Sequence, residues 1–310
     1  MIKIFRSLGG YVELPVAEKR SWINVNNPTP GEIVQIRDAF SIPEELIQDI
    51  LDADERPRIE IDDTWTLVIL RIPVSSPNNG VPFSTVPLGI FMTENHTVTI
   101  CSSPNEVLPN EQPSLYRDSY QQVTDVLNFI LKLFLRSSNV YLKYLKQINQ
   151  QTAIIEQDLE ESIRNEELNR LLKMEKCLVY FITSLKGNEL VLAKLKNSKR
   201  FDLSELNEDL MEDAIIENKQ ALEMAQIYSD IQAGMMDAFA SVISNNLNVV
   251  MKQLTSISIL LMIPTLIASL YGMNVPNTLE NHTWAFPAIL IFSLGLSFLG
   301  MLLFRRRRWF

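Results

Sequence analysis

Two long stretches without a single charge constrain most of what this 310-residue chain can fold into. From Gln253 to Leu279 there are 27 consecutive uncharged residues, and from Asn281 to Phe304 another 24. Each holds about 19 or 20 mainly apolar residues, and a helix of that length spans roughly 30 Å, the hydrocarbon thickness of a bilayer. Nothing comparable occurs in the first 252 residues. The pattern predicts two transmembrane helices at the C-terminal end, preceded by a large water-exposed portion.

The flanks give an orientation. Four arginines, Arg305 to Arg308, follow the second run directly, and Lys252 precedes the first. The connecting segment carries one charge, Glu280, and it is negative. The positive-inside rule then places both termini in the cytoplasm of an inner (plasma) membrane protein. The opening MIKIFRSLGGYVELP has no apolar core of signal-peptide length, so the N-terminal portion is expected to stay cytosolic. The expected organisation is a cytosolic α/β domain (1–114), a long-helix stalk (115–252), a first span (253–271) and an extracytoplasmic loop (272–283). A second span (284–304) and a basic tail (305–310) complete it.

Charge is partitioned sharply between these parts. Up to residue 252 there are 24 basic against 36 acidic residues, a net charge of −12. A surface of that sign argues against a nucleic-acid partner. Ordinary solubility explains it, and so does attraction of divalent cations. Cys101 and Cys177 stand far apart without metal-ligand spacing, and His96 and His282 are the two histidines, so no soft-metal cluster is expected. No nucleophile elbow and no Gly-rich phosphate loop is present, which argues against an enzyme, an organic cofactor or ATP coupling.

The water-exposed portion has two textures. Up to about residue 113, IKIFR, TWTLVILRIP (64–73), STVPLGIFMT (84–93) and HTVTICS (96–102) read as strands, rich in β-branched and aromatic residues. Thr29-Pro30 opens one helix, and Ser41-Ile42-Pro43-Glu44 has the spacing of a capping box for another. On that second helix Asp49 falls outside the apolar arc of Ile42, Leu46, Ile47, Ile50 and Leu51. From about Leu115 to Met251 proline is absent and the amphipathic period is helical. One helix is expected over roughly 116–150, another over 153–198, and a third from Ser204 unbroken to Tyr271. The fold class expected is an α+β membrane protein. A rod of about 100 Å, at ~1.5 Å per residue, cannot bury its own stripe and calls for oligomerisation.

A helical wheel of the first span isolates one polar stripe. Met251, Thr255, Ser258, Met262, Thr265 and Ser269 are spaced 4, 3, 4, 3 and 4 apart and fall within about 80° at 100° per residue. Asn248 extends the stripe at one end. Small hydroxyl residues permit close helix packing in membranes; the sharper reading is the lining of a pore. The stripe runs towards LYGMNVPN (270–277), a turn carrying an uncharged amide.

These features resemble the CorA family of magnesium and cobalt transporters. The likeness is carried by YGMN (271–274) after the first span, by DILDADERPRIE (49–60), and by DIQAGMMDAFASVISNNLNVVMKQLT (230–255). The resemblance implies a funnel-shaped homopentamer in which Gly272, Met273 and Asn274 form the outer entrance and Glu280 concentrates cations beside it. It implies a hydrophobic gate at Leu254 and Met262, with polar rings at Thr265 and Asn248. It also implies that magnesium is both cargo and regulator, binding Asp49 and Asp213 between subunits to hold the closed state. The loop departs from the family pattern, with Thr278-Leu279-Glu280 where relatives carry Met-Pro-Glu. Two alternatives share parts of this reading: a ZntB-like zinc transporter, proton-coupled or not, and a membrane-anchored oligomeric scaffold.

Overall fold

The structure is a computed structural model that describes residues 1–8, 12–75, 80–108, 125–161, 165–198, 200–201, 205–273, 282 and 284–307. The chain divides into two compact units, Met1–Ala233 and Gly234–Phe310.

The first unit is built on a six-stranded sheet: β1 (Ile2–Phe5), β2 (Ser21–Asn26), β3 (Arg58–Ile61), β4 (Trp65–Ser75), β5 (Phe83–Thr93) and β6 (His96–Cys101). Their order across the sheet is β1-β2-β6-β5-β4-β3, antiparallel except for the β2–β6 pair. After β2 the chain therefore leaves through two helices to the far edge and returns as a meander. Those helices are α1 (Pro30–Phe40) and α2 (Glu44–Leu51). Their Ile36, Leu46, Ile47 and Ile50, with Ile42 of the link between them, pack on Ile23, Val25, Leu67, Ile69, Phe91, Val98 and Ile100 of the sheet. The approach is closest at Gly89, where a Cβ would fall on the Ile50 side chain.

Helices α3 (Val126–Glu161) and α4 (Asn165–Lys196) also pack against the sheet. Trp22 meets Phe129 edge-on at 5.3 Å, and Phe83 stacks on Tyr144 at 4.7 Å. Leu67, Val68, Ile69 and Leu70 are all fully buried, as a strand covered on both faces requires, which explains its unbroken apolar run. Beyond the end of β3 the edge of β4 would be open. There the Asn188 side chain accepts from the Arg71 N–H and donates to the Arg71 carbonyl, both at 2.8 Å, as a neighbouring strand would.

Helix α5 (Glu205–Tyr271) is 67 residues long. Two buried amides pin it antiparallel to α4. Asn218 donates to the Leu185 carbonyl at 3.1 Å and Gln232 to the Leu171 carbonyl, an offset of 14 residues on each helix. The second unit holds the last part of α5 and α6 (Ala285–Arg306). Both helices are long and apolar enough to cross a membrane.

Three local expectations change. The strand β2, SWINVN, was not among those anticipated. The break between the first two long helices does not lie near residue 151. Helix α3 continues to Glu161, because buried Thr152, Ile155 and Leu159 carry its packed face onward. Ser41 does not cap α2: it closes α1 in the left-handed conformation, φ 53°, and Pro43 stands at the start of α2 with no side-chain cap. The capping box belongs to α1, where Thr29 and Glu32 bond reciprocally.

Candidate ion pathway

Within the second unit α5 has two opposite faces. Ser256 is fully buried, and Leu260, Ile263, Pro264, Ile267 and Tyr271 are half-buried. This face meets α6. The Ser297 hydroxyl donates to the Leu260 carbonyl at 3.2 Å, and a Cβ on Gly300 would lie 3.0 Å from Leu260 Cδ2. Ser293, Ser297 and Gly300, spaced four and three apart, bring the helices together as small residues do in membranes.

The polar stripe lies on the other side. Met251, Thr255, Ser258, Met262, Thr265 and Ser269 are all exposed, as are Asn248 and Leu254. At 100° per residue the centre of the stripe is about 170° from the centre of the covered face. One serine, Ser256, falls off the stripe in sequence, and it is the one that faces the seam. Small-residue packing therefore accounts for Ser256 and leaves the stripe uncovered.

Two of the four hydroxyls of the stripe are also oriented. Ser258 donates to the Leu254 carbonyl and Thr265 to the Leu261 carbonyl, each at 2.9 Å. With their protons turned inward, these oxygens offer lone pairs. A hydrated cation presents water hydrogens outward, so an acceptor-only surface suits it.

Pro264 has no N–H and cannot donate to the carbonyl four residues back, which is that of Leu260. Ser297 brings a donor to it, a hydroxyl shared between the Leu260 carbonyl at 3.2 Å and the Ser293 carbonyl of its own helix at 3.1 Å. The proline and its compensating serine thus sit together on the seam.

At the end of the stripe, the Gly272 N–H donates to the Ala268 carbonyl at 2.9 Å, and a Cβ there would lie 3.2 Å from the same oxygen. The approach is tight and favours glycine, while the backbone at Gly272 is not left-handed: Gly80 is the one described glycine with positive φ. Met273 is exposed. Asn274 and Glu280 lie outside the described residues.

The two acids singled out as regulators are on α2 and α5. Asp49 stands in the last turn of α2, off its buried face, and its Oδ2 accepts from Arg58 Nη2 at 2.8 Å. Asp213 is exposed on α5. Among the described residues no group of three or more His, Cys, Asp or Glu side chains gathers to hold a metal within one chain. Asp49 on its own is a fitting ligand for a hard cation: a carboxylate, 45 % exposed, whose Oδ1 takes no hydrogen bond among the described residues.

Sequence reasoning missed Arg58, Ser297 and Gly300. The spacing of Ser293, Ser297 and Gly300 was a readable signal for the seam; nothing in the sequence pairs Arg58 with Asp49, because β3 and the end of α2 meet only in the fold.

The comparisons with known proteins agree with one another. A family model described as "CorA-like Mg2+ transporter protein" matches residues 17–306. The chain is 25% identical over 296 residues to the cobalt/magnesium transport protein CorA of Methanocaldococcus jannaschii, covering 93% of this chain and 90% of that one. It is 22% identical over 292 residues to the protein of the same description from Thermotoga maritima, covering 93% and 83%. In structure it is similar to the complete CorA magnesium transporter of Methanocaldococcus jannaschii, with a TM-score of 0.82, 23% identity, and coverage of 100% of this chain and 99% of that one.

Proposed function

The chain belongs to the CorA-like Mg2+ transporter family, and on that premise we propose that it is a divalent-cation channel taking up magnesium, with cobalt and nickel as further cargo, as a homopentamer. The observation that carries this reading is the opposition of the two faces of α5. With α6 packed on one face, copies of the chain arranged around an axis turn the opposite, polar face inward. Leu254 and Met262 then form apolar constrictions that close by dewetting, and Asn248, Ser258 and Thr265 form the polar rings between and beside them.

The entrance is assigned to Gly272, Met273 and Asn274. Magnesium gives up its water reluctantly. A ring of neutral Asn274 amides accepts hydrogen bonds from the water shell without stripping it, and so binds weakly enough to release. Glu280 raises the local cation concentration at the mouth. Both termini lie in the cytoplasm of an inner membrane, with Lys252 and Arg305 to Arg307 at its inner face.

Transport needs no chemical coupling. Two charges moving down about 100 mV gain roughly 4.6 kcal/mol, which supports an accumulation of about a thousandfold or more. Closure is assigned to internal magnesium bridging Asp49 of one subunit and Asp213 of the next.

Influx into proteoliposomes under an inside-negative potential tests this reading. Magnesium influx driven by potential alone, and abolished by Asn274→Ala, is expected. Zinc influx that requires a proton gradient, or no flux of either ion from a folded, oriented preparation, overturns it.

A further inference from the structure

At the end of α2 one arginine serves three acids. Arg58, the first residue of β3, donates to Asp49 Oδ2 at 2.8 Å and also pairs with the carboxylates of Glu55 and Glu60. Desolvation opposes the charge of this guanidinium, yet the hydrogen bond to Glu60 and the nearby carboxylates outweigh it and hold its pKa above the ordinary arginine value. An arginine keeps its proton at every pH a protein meets. One of the two Asp49 oxygens is therefore already held by a fixed cation.

The three partners are not equivalent. The Glu55 side chain is 20 % exposed, that of Glu60 37 % and that of Asp49 45 %. Glu55 is fixed through its backbone as well, because Arg71 Nη1 donates to the carbonyls of Ala53 and Glu55 at 2.8 Å each. Arg71 is in turn held by Thr85 and Ser184, so the loop after α2 is anchored to β5 and α4. If Arg58 leaves Asp49, it keeps Glu55 and Glu60, so the guanidinium stays paired and the charge set free is the Asp49 carboxylate alone. Asp49 is the partner most open to solvent ions. The pair is built to be exchanged.

We propose that Arg58 is a built-in competitor for the divalent cation at Asp49. At low magnesium the guanidinium holds the Asp49 carboxylate; as the cation concentration rises, the metal displaces it and Arg58 remains on Glu55 and Glu60. This rests on the reading of Asp49 as a regulatory ligand given above. The consequence is a weaker site, whose half-saturation lies at a higher magnesium concentration than an unopposed carboxylate pair would give. A merely positioning role has the opposite sign: an arginine that preorganises Asp49 weakens binding when it is removed.

The test is magnesium-dependent protection of the full-length, detergent-solubilised protein from chymotrypsin, read as the concentration giving half-maximal protection. Arg58→Gln is expected to lower that concentration about tenfold. Arg58→Lys, which keeps the charge and loses the fork, is expected to fall between Arg58→Gln and the natural protein, and it serves should Arg58→Gln fail to fold. Asp49→Asn is expected to remove the protection, and Arg58→Gln to change nothing on that background. If Asp49→Asn removes the protection while Arg58→Gln and Arg58→Lys leave the half-point unchanged or raise it, the competitor role alone is overturned. If Asp49→Asn leaves protection intact, the regulatory reading of Asp49 falls and the competitor role with it.

Discussion

The hydroxyl of Ser297 on α6 donates to the carbonyl of Leu260 on α5, the one carbonyl in that turn that Pro264 leaves without its helical partner. A proline in a helix interior normally costs about 3 kcal/mol, part of it the lost hydrogen bond. Here the neighbouring helix restores a donor, and the same contact fixes which face of α5 is covered and which is left open.

Ser297→Ala is therefore expected to destabilise the second unit by about 1 kcal/mol, the scale of an interhelical hydrogen bond in a membrane. The unfolding midpoint in detergent should fall by a few degrees. Ser258→Ala removes a hydroxyl that bonds only within its own helix and should leave the midpoint unchanged. Equal losses in the two variants would argue against the seam.

In the sheet unit, Gly89→Ala places a methyl on the buried Ile50 side chain. Overpacking of this kind costs about 1–3 kcal/mol. On an Ile50→Ala background the added methyl has room, so its cost should largely vanish in a double-mutant cycle. Additive losses would contradict the close approach of α2.

Met262 is 65 % exposed on the stripe, and the proposed gate works by excluding water. Met262→Ser should hydrate the constriction and raise magnesium flux several-fold at the high internal magnesium concentrations at which the proposed gate is closed. An unchanged closed-state flux would remove Met262 from the gate.

Burial pushes the His96 imidazole below its ordinary value of 6.5, with the Phe40 ring edge-on at 5.4 Å. The unfolded chain then binds the proton more readily than the folded one. The stability contribution is fully present above pH 6.5 and is lost as pH falls through the lower folded value. Melting temperatures measured between pH 7 and 5 should decline, and His96→Gln should make that decline shallower. A slope unaltered by the substitution would contradict the burial of this group.

Much of the fold was legible because the physics is local. The two charge-free runs give the spans, and β4 and β5 declare themselves by β-branched runs buried on both faces. The polar stripe followed from period alone. The strand SWINVN escaped because it is short and carries Asn24 and Asn26; buried Asn24 accepts from the Thr99 hydroxyl of the neighbouring strand at 3.3 Å. The end of α3 was misplaced because Gln150-Gln151-Thr152 looks like a polar break, whereas Thr152 is buried against the fold. Arg58, Arg71 and Ser297 act across 9, 16 and 37 residues of sequence. Their roles exist only once the chain has returned on itself.

The decisive measurement is magnesium influx into proteoliposomes before and after a water-soluble, charged thiol reagent, in single substitutions along both faces of α5. Cys101 and Cys177 are buried and provide a low background. Modification of Ser258→Cys and Thr265→Cys should block influx, while Ser256→Cys, facing α6, should be insensitive. Block at Ser256→Cys with free passage at Ser258→Cys and Thr265→Cys would mean that the ion path runs along the other face, and the assignment of the stripe would be wrong.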